Sequence, residues 1–298
     1  GGGVIGLELG CVYQKLGAEL TVVEMTPSLL PGVDPELTAV VEKKLVKHGA
    51  KIFKGAKAMG YEKQGDGSVA VRIGLDASAA AGGDGGGKFE NVVCDVVLVA
   101  VGMRPNSQGF GLETTGVKVE KGFIPTDGAG RTNVPHIYCI GDVSGMPMLA
   151  HKATKEGEVI AEVIAGQKAA KDWVSIPAAI FTDPEIAVAG LSEQQAKEKG
   201  IEVRIGKFPY SALGRAMANN ETEGFFKVVA DKKTHEVLGV HIVGTAASDM
   251  ISEGALALEM HAFLEDVGLT IHPHPTLGEG MMEAHMNGLG HAIHILNR

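Results

Sequence analysis

The chain has 298 residues, 45% of them hydrophobic and 42 of them glycine, which is enough for two domains or one large one rich in tight turns. Its formal net charge of −9, with no basic block, argues against nucleic acid as a partner. No apolar run reaches the roughly 18 residues that a membrane-spanning helix needs, so no membrane partner is expected either.

The first residues, Gly1-Gly2-Gly3, have no Met before them and no strand leading into the glycines, so the true N-terminus and any targeting signal are expected upstream. "GGGVIGLELGCVYQKLGAELTVVEM" then reads as loop, helix and strand. Val4, Ile5, Leu9, Val12, Tyr13 and Leu16 form a helical apolar stripe, Gly17 stops the helix, and a short β-branched strand ends in Glu24. "DPELTAVVEKKLVKHG" predicts a second helix, with Asp34 as N-cap, Pro35 in its first position and Gly49 closing it. Short strands with a turn at Gly65-Asp66-Gly67 follow. "DASAAAGGDGGGK" reads as a low-complexity loop, since no strand-to-helix context makes its glycines a phosphate cradle.

"NVVCDVVLVAVG" has the near-continuous apolar run of a strand buried in a parallel sheet. "HIYCIGD" reads as another short strand, delivering Asp142 at its end, and "HKATKEGEVIAEVIAG" as a helix closed by Gly166. The pattern changes between Trp173 and Pro177, and a domain boundary is expected near 173. Beyond it, "GFFKVVAD" and "VLGVHIVG" predict an antiparallel hairpin through "KKTH", followed by a long helix over "AASDMISEGALALEMHAF". This second half reads as α+β. Cys11, Cys94 and Cys139 lie far apart and have no metal-type spacing. They read as small core residues of a protein from a reducing compartment.

Three stretches carry chemistry. Gly1-x-Gly3-x-x-Gly6 heads a helix, where glycines let a pyrophosphate approach the free N–H groups of the helix N-terminus. Glu24 follows at about the ~20-residue distance expected of a carboxylate that accepts ribose hydroxyls, and it favours NAD over NADP. A solvent-facing Glu after a glycine-rich helix entry would look similar. Second, Asp142 at a strand end stands where α/β folds bind ligands, and "MLAHKATKEG" starts a helix whose positive end suits an electron-rich ring. An Asp that merely caps the next loop has the same spacing. Third, in "HPHPTLGEGMMEAH", His274 is framed by Pro273 and Pro275, and Glu279 follows one turn into a helix. Thr276 and Glu279 fit a capping box. The same geometry lets Glu279 fix the tautomer of His274 and raise its affinity for a proton, as a general base needs. A metal site built from His272, His274, His285, His291 and His294 is the weaker reading, because prolines break the HxH geometry and no cysteine is near.

The order GGGVIGLE, IYCIGD with MLAHKA, then HPHPTLGE resembles the flavoprotein disulfide reductases, and within them the members that oxidise dihydrolipoyl groups with NAD. "VAVGMRPN", "FTDPEIAVAGLSE" and "GKFPYSALGRAM" are similar to connecting segments of that family, so the likeness covers essentially the whole chain. It implies an α/β fold: a Rossmann-like NAD domain over residues 1–104 lacking its first strand, the C-terminal piece of an FAD domain over 105–172, and an α+β dimerisation domain over 173–298. It places Gly1, Gly2, Gly3, Val4, Ile5, Gly6, Leu7, Glu8, Glu24, Ala58 and Gly102 against NAD, with Glu8 near both nicotinamide and flavin. It places Asp142 against the ribityl and phosphate region of FAD, and Met148, Leu149, Ala150 and His151 around the isoalloxazine. His274 matches the catalytic base and Glu279 its partner, serving the other subunit of a homodimer.

The implied substrates are lipoyl domains of 2-oxoacid dehydrogenase complexes or of a glycine cleavage system, with the mitochondrial matrix as the expected compartment and bacterial cytoplasm or plastid as alternatives. The family's CxxxxC redox pair and first FAD-binding segment are missing from these residues, so the chain alone is expected to be inactive. Met103, Pro273 and Gly278 are smaller departures, as is the insertion around Ala77 to Lys88. Two other readings remain. One is a glutathione- or trypanothione-type reductase, for which Glu24-Met25-Thr26 lacks the arginines of NADP binding; the other is a non-catalytic dimerising remnant.

Overall fold

A computed structural model describes residues 1–76 and 87–297. The low-complexity loop and insertion expected between Ala77 and Lys88 therefore lie largely outside the described residues. The chain folds as two compact units, one formed by residues 1–102 together with 177–298, the other by 103–176.

In the first unit, α1 (Val4–Lys15) leads to β1 (Thr21–Glu24), which pairs in parallel with β2 (Lys51–Lys54). Between them runs α2 (Pro35–Lys47), whose N-cap Asp34 accepts the Glu36 N–H and whose end turns on Gly49 at φ +91°. α1 forms where its periodicity places it, but it buries a different face. Leu7, Gly10 and Cys11 point inward, while Val4, Ile5, Leu9, Val12, Tyr13 and Leu16 are exposed. The reason is packing: Leu7 and Cys11 share a core with Val22, Leu37, Val41 and Leu45.

An antiparallel sheet β3-β4-β5 follows (Lys57–Lys63, Val69–Gly74, Phe89–Cys94), with the expected turn closed by Gly67 N–H to Gln64 O. Here the expected buried parallel strand is corrected. β5 stops at Cys94 and runs antiparallel to β4, and residues 95–101 belong to no strand. Val96 and Val101 are each 82% exposed. The apolar run has the propensity for a strand, but it pairs with none of the described strands.

Residues 177–298 contain a five-stranded antiparallel sheet in the order β6-β7-β10-β9-β8. Its strands are β6 (Ala178–Ile180), β7 (Glu185–Gly190), β8 (Val203–Pro209), β9 (Phe225–Asp231) and β10 (Val237–Gly244). The predicted hairpin is β9–β10, turned by Asp231 accepting the Lys233 and Thr234 N–H groups and by His235 at φ +67°. The long helix is shorter than its sequence pattern. It covers Ala247–Glu259 and ends where His261 adopts φ +50°. Its apolar face joins Phe208, Tyr210, Phe226, Val240 and Met281 in the largest core. A second core joins Leu29, Leu30 and Leu37 to Ile180, Ile186 and Val243, so residues 1–102 and 177–298 share a hydrophobic interior.

The second unit is mostly irregular, with one long helix at Ala150–Ile164 closed by Gly166 at φ +80°. "HIYCIGD" is not a sheet strand. Its backbone partners are a short return of the chain, Thr132 N–H to Ile137 O and Cys139 N–H to Gly130 O, and Gly141–Val143 is a 3₁₀ turn. Leu112, Val117, Ile124 and Cys139 form this unit's core.

Candidate active site and cofactor segments

The glycine loop is shaped by close approach. A Cβ on Gly1 would lie 2.1 Å from the Ala100 carbonyl oxygen, and one on Gly6 would lie 2.1 Å from the Gly1 oxygen. Gly3 differs, since a Cβ there meets nothing within 4 Å. It is the N-cap of α1, without a side-chain cap and without an acidic residue in the first turn. The opening of α1 therefore keeps unpaired N–H groups beside open space, the arrangement that accepts a phosphate. Val4 and Ile5 line this exposed first turn, while Leu7 is wholly buried and anchors the helix.

Glu24 is more deeply committed than its spacing indicated. Its two oxygens accept the N–H groups of Gly2 and Thr26, both at 2.7 Å, and the residue is only 8% exposed. Burial works against the charge, but the N–H groups of Thr26 and Gly2 outweigh it and hold the carboxyl below the usual range. Ala56 N–H donates to the Glu24 carbonyl, which brings exposed Ala58, at the start of β3, towards the same end of β1. Gly102, at φ +116°, follows the Ala100–Val101 stretch that Gly1 abuts. Glu8 turns away from this group, and its Oε1 accepts the Phe181 N–H at 2.8 Å.

In the second unit, Asp142 projects an exposed carboxylate that makes no hydrogen bond among the described residues. Eight residues on, the helix starting at Ala150 has Leu149 as an uncapped N-cap and no acidic group in its first turn. A free carboxylate on a turn and a bare helix N-terminus fit a ligand that offers both hydroxyls and an electron-rich ring. Met148 and Leu149 are half-buried, and Ala150 and His151 are exposed.

Glu279 resolves the question raised by "HPHPTLGE" in both directions. Its Oε1 lies 2.9 Å from His274 Nδ1, and its Oε2 accepts the Thr276 N–H at 2.9 Å. The reciprocal half of the capping box does not form among the described residues; the Thr276 hydroxyl instead donates to the Pro273 carbonyl at 2.7 Å. Burial opposes the Glu279 charge, but the Thr276 N–H and His274 outweigh it and keep the carboxyl below its usual range. The His274 side chain is 75% exposed, and its Nε2 has no hydrogen-bond partner among the described residues. The site is thus an imidazole with one nitrogen tied to a carboxylate and the other open to solvent. Glu253 completes the loop's support by holding His272 Nε2 at 2.8 Å, while His272 Nδ1 faces the Thr270 carbonyl at 2.8 Å. Among the described residues no group of three or more His, Cys, Asp or Glu could hold a metal ion.

Sequence reasoning missed Glu253. It also missed the Lys152–Glu156 pair, for which the i,i+4 spacing in "HKATKEG" was a signal. A third omission, Lys227, was marked by its place inside the apolar run "FFKVV".

Comparison with known proteins adds two family matches. Residues 1–157 match the pyridine nucleotide-disulphide oxidoreductase model, and residues 176–285 match the dimerisation domain of the same oxidoreductases. A dihydrolipoyl dehydrogenase of Thermus scotoductus is 49% identical across 100% of the chain and 63% of its own length. One from Pseudomonas aeruginosa is 45% identical across 99% of the chain and 61% of its own length. The crystal structure of LpdA from Mycobacterium tuberculosis superposes with a TM-score of 0.84 at 27% identity, covering 95% of this chain and 59% of that one. The chain thus spans about three fifths of the length of these relatives.

Proposed function

The chain belongs to the pyridine nucleotide-disulphide oxidoreductases, and from that premise we propose that it takes part in oxidising protein-bound dihydrolipoyl groups with NAD, as part of an FAD-dependent homodimer. The observation that carries this reading is the His274–Glu279 pair with its open Nε2. Glu279 holds Nδ1 as the N–H nitrogen, so Nε2 bears the lone pair and takes the proton of a dihydrolipoyl thiol. The thiolate then attacks a disulfide; the second lipoyl sulfur closes the lipoyl ring and leaves a dithiol behind. Cys11, Cys94 and Cys139 are free thiols, and none of them supplies that disulfide. FAD and NAD, when bound, would supply the two-electron acceptors that return this dithiol to a disulfide.

The open space at Gly3 takes the NAD pyrophosphate, Glu24 orders the loop and stands at the ribose, and Asp142 with the Met148–His151 stretch faces FAD. Glu8, engaged with Phe181, has to exchange that contact to reach a nicotinamide. With Glu24 followed by Met25 and Thr26, no arginine stands ready for a 2′-phosphate, which supports NAD over NADP. Leu269 and Ile271, 76% and 94% exposed on the approach to His274, support pairing with a second copy of the chain. The bacterial relatives favour bacterial cytoplasm over a mitochondrial matrix.

The decisive experiment replaces His274 by Gln in the protein expressed from its complete reading frame. Loss of a general base lowers turnover of dihydrolipoamide by about 10²–10⁴-fold, with NAD affinity unchanged. Near-normal turnover would overturn the assignment of the base. Sedimentation of the same protein is expected to give a dimer, and a fully active monomer would exclude action across a subunit interface.

A further inference from the structure

We propose that Lys152 and Glu156 are positioning residues for the flavin, acting through the turn that carries Asp142. The proposal rests on the FAD reading above. The turn over residues 141–145 makes no sheet, and Gly141 sits at φ +77°. A buried ion pair one helical turn into the Ala150–Ile164 helix supplies its support. The Lys152 and Glu156 side chains are 5% and 3% exposed and lie 3.2 Å apart.

Glu156 Oε2 accepts the Gly141 N–H at 2.7 Å. Lys152 Nζ donates to the carbonyls of Gly141 at 3.2 Å and Gly145 at 3.1 Å, and meets the Ser144 hydroxyl oxygen at 3.1 Å. That hydroxyl donates back to the Gly141 oxygen at 2.8 Å. Lys171 adds a second cation, 3.8 Å from Glu156 and bonded to Thr126 at 2.8 Å. Both backbone polar groups of Gly141 are therefore held by the pair, and the carbonyl of Gly145 is held at the other end of the turn. Asp142, between them, is the one side chain of the turn left open to a ligand. A buried pair of this kind is poor stabiliser compared with apolar packing, so its placement under one turn points to specificity of geometry.

The geometry has a measurable consequence. Expressed from its complete reading frame, the protein is titrated with FAD by flavin fluorescence as wild type, Lys152→Met, Glu156→Gln and the double variant. The double variant removes both charges of the Lys152–Glu156 pair and leaves only Lys171, 15% exposed and still bonded to Thr126, without a carboxylate, so it guards against simple unfolding of the singles. Amide hydrogen exchange at residues 141–145 is followed without added FAD. The expected result is a folded double variant whose FAD affinity falls at least tenfold while exchange across the turn accelerates. Added to Asp142→Asn, the same pair of changes is expected to cause no further loss, because both act on one contact. A folded double variant with wild-type affinity, or with unchanged exchange, overturns the role. So does a loss that multiplies fully with that of Asp142→Asn. A wild-type protein that takes up no FAD overturns the flavin reading itself, whereas unchanged affinity against a flavin-binding wild type overturns only the positioning role.

Discussion

Two histidines close together in sequence show what separates an accessible imidazole from a core residue. His285 is wholly buried in the helix Glu279–Leu289; its Nδ1 lies 2.7 Å from the Met281 carbonyl and its Nε2 has no partner among the described residues. Burial, helped by nearby His272, pushes its pKa down from 6.5 to about 4. A depressed histidine stays neutral in the fold while the unfolded chain takes up a proton. Its effect on stability is therefore nil above about pH 6.5 and grows as the pH falls to about 4. At about 1.4 kcal/mol per unit the full loss is of order 3 kcal/mol. Urea unfolding at pH 7 and pH 4.5 is expected to show a steeper acid loss for wild type than for His285→Gln. Identical pH profiles would mean that other groups govern the acid limb. His274 is the opposite case, exposed and with one nitrogen committed to a carboxylate, and that accessibility is what the proposed proton transfer requires.

At the scale of elements, the helix Glu279–Leu289 places that carboxylate, and it reaches its position through glycines. A Cβ on Gly280 would lie 2.2 Å from the Phe226 ring, and that ring is stacked on Tyr210 at 5.0 Å, so it cannot swing aside cheaply. Gly206 meets the Ala284 carbonyl just as closely from β8. In an open helix Gly→Ala gains up to about 1 kcal/mol. Here overpacking of about 1–3 kcal/mol prevails. Gly280→Ala is expected to lower the urea midpoint and, by displacing adjacent Glu279, to weaken turnover; a variant more stable than wild type would show that the helix yields freely.

The sequence disclosed elements whose signals are local. Asp34-Pro35 with Gly49 bounds α2, and the β9–β10 hairpin follows from its two apolar runs and the turn at His235. It did not disclose what depends on a distant partner. Residues 95–101 have strand propensity but pair with no described strand, and α1 carries apolar residues on two faces, of which packing selected the one holding Leu7. At the site, the Thr-x-x-Glu signal was legible, but that Glu279 serves the Thr276 N–H and His274 together depends on the path of the loop. The i,i+4 spacing of Lys152 and Glu156 was visible too, while their burial beneath the Asp142 turn was not.

At the scale of the molecule, residues 1–102 and 177–298 are a single unit, although 74 residues separate them in sequence. Their joint has a charged centre. Lys227 on β9 is buried, with Asp34 at 2.7 Å, Glu36 at 2.6 Å and Glu193 at 3.1 Å. Burial opposes its charge, but Asp34, Glu36 and Glu193 outweigh it and raise the ammonium well above the ordinary lysine range. His241, directly across the hairpin from Lys227, is buried too, and desolvation lowers its pKa, which disfavours a further charge at that position. Lys207 adds a contact to Glu36 from β8. Asp34 is also the N-cap of α2, so one carboxylate ends a helix in the first segment and neutralises a lysine in the last.

Lys227→Met removes the ammonium and leaves buried Asp34 unpaired, at a cost of about 3–5 kcal/mol for a fully buried pair. The lower end applies, because the Glu36 and Glu193 side chains are 47% and 54% exposed and regain solvent. If the shared core makes the two segments cooperative, hydrogen exchange at α2 and at β9 accelerates by the same factor in this variant. Acceleration confined to α2 would instead mean that Asp34 caps a locally melting helix and that the joint depends on Leu37, Ile186 and Val243 alone.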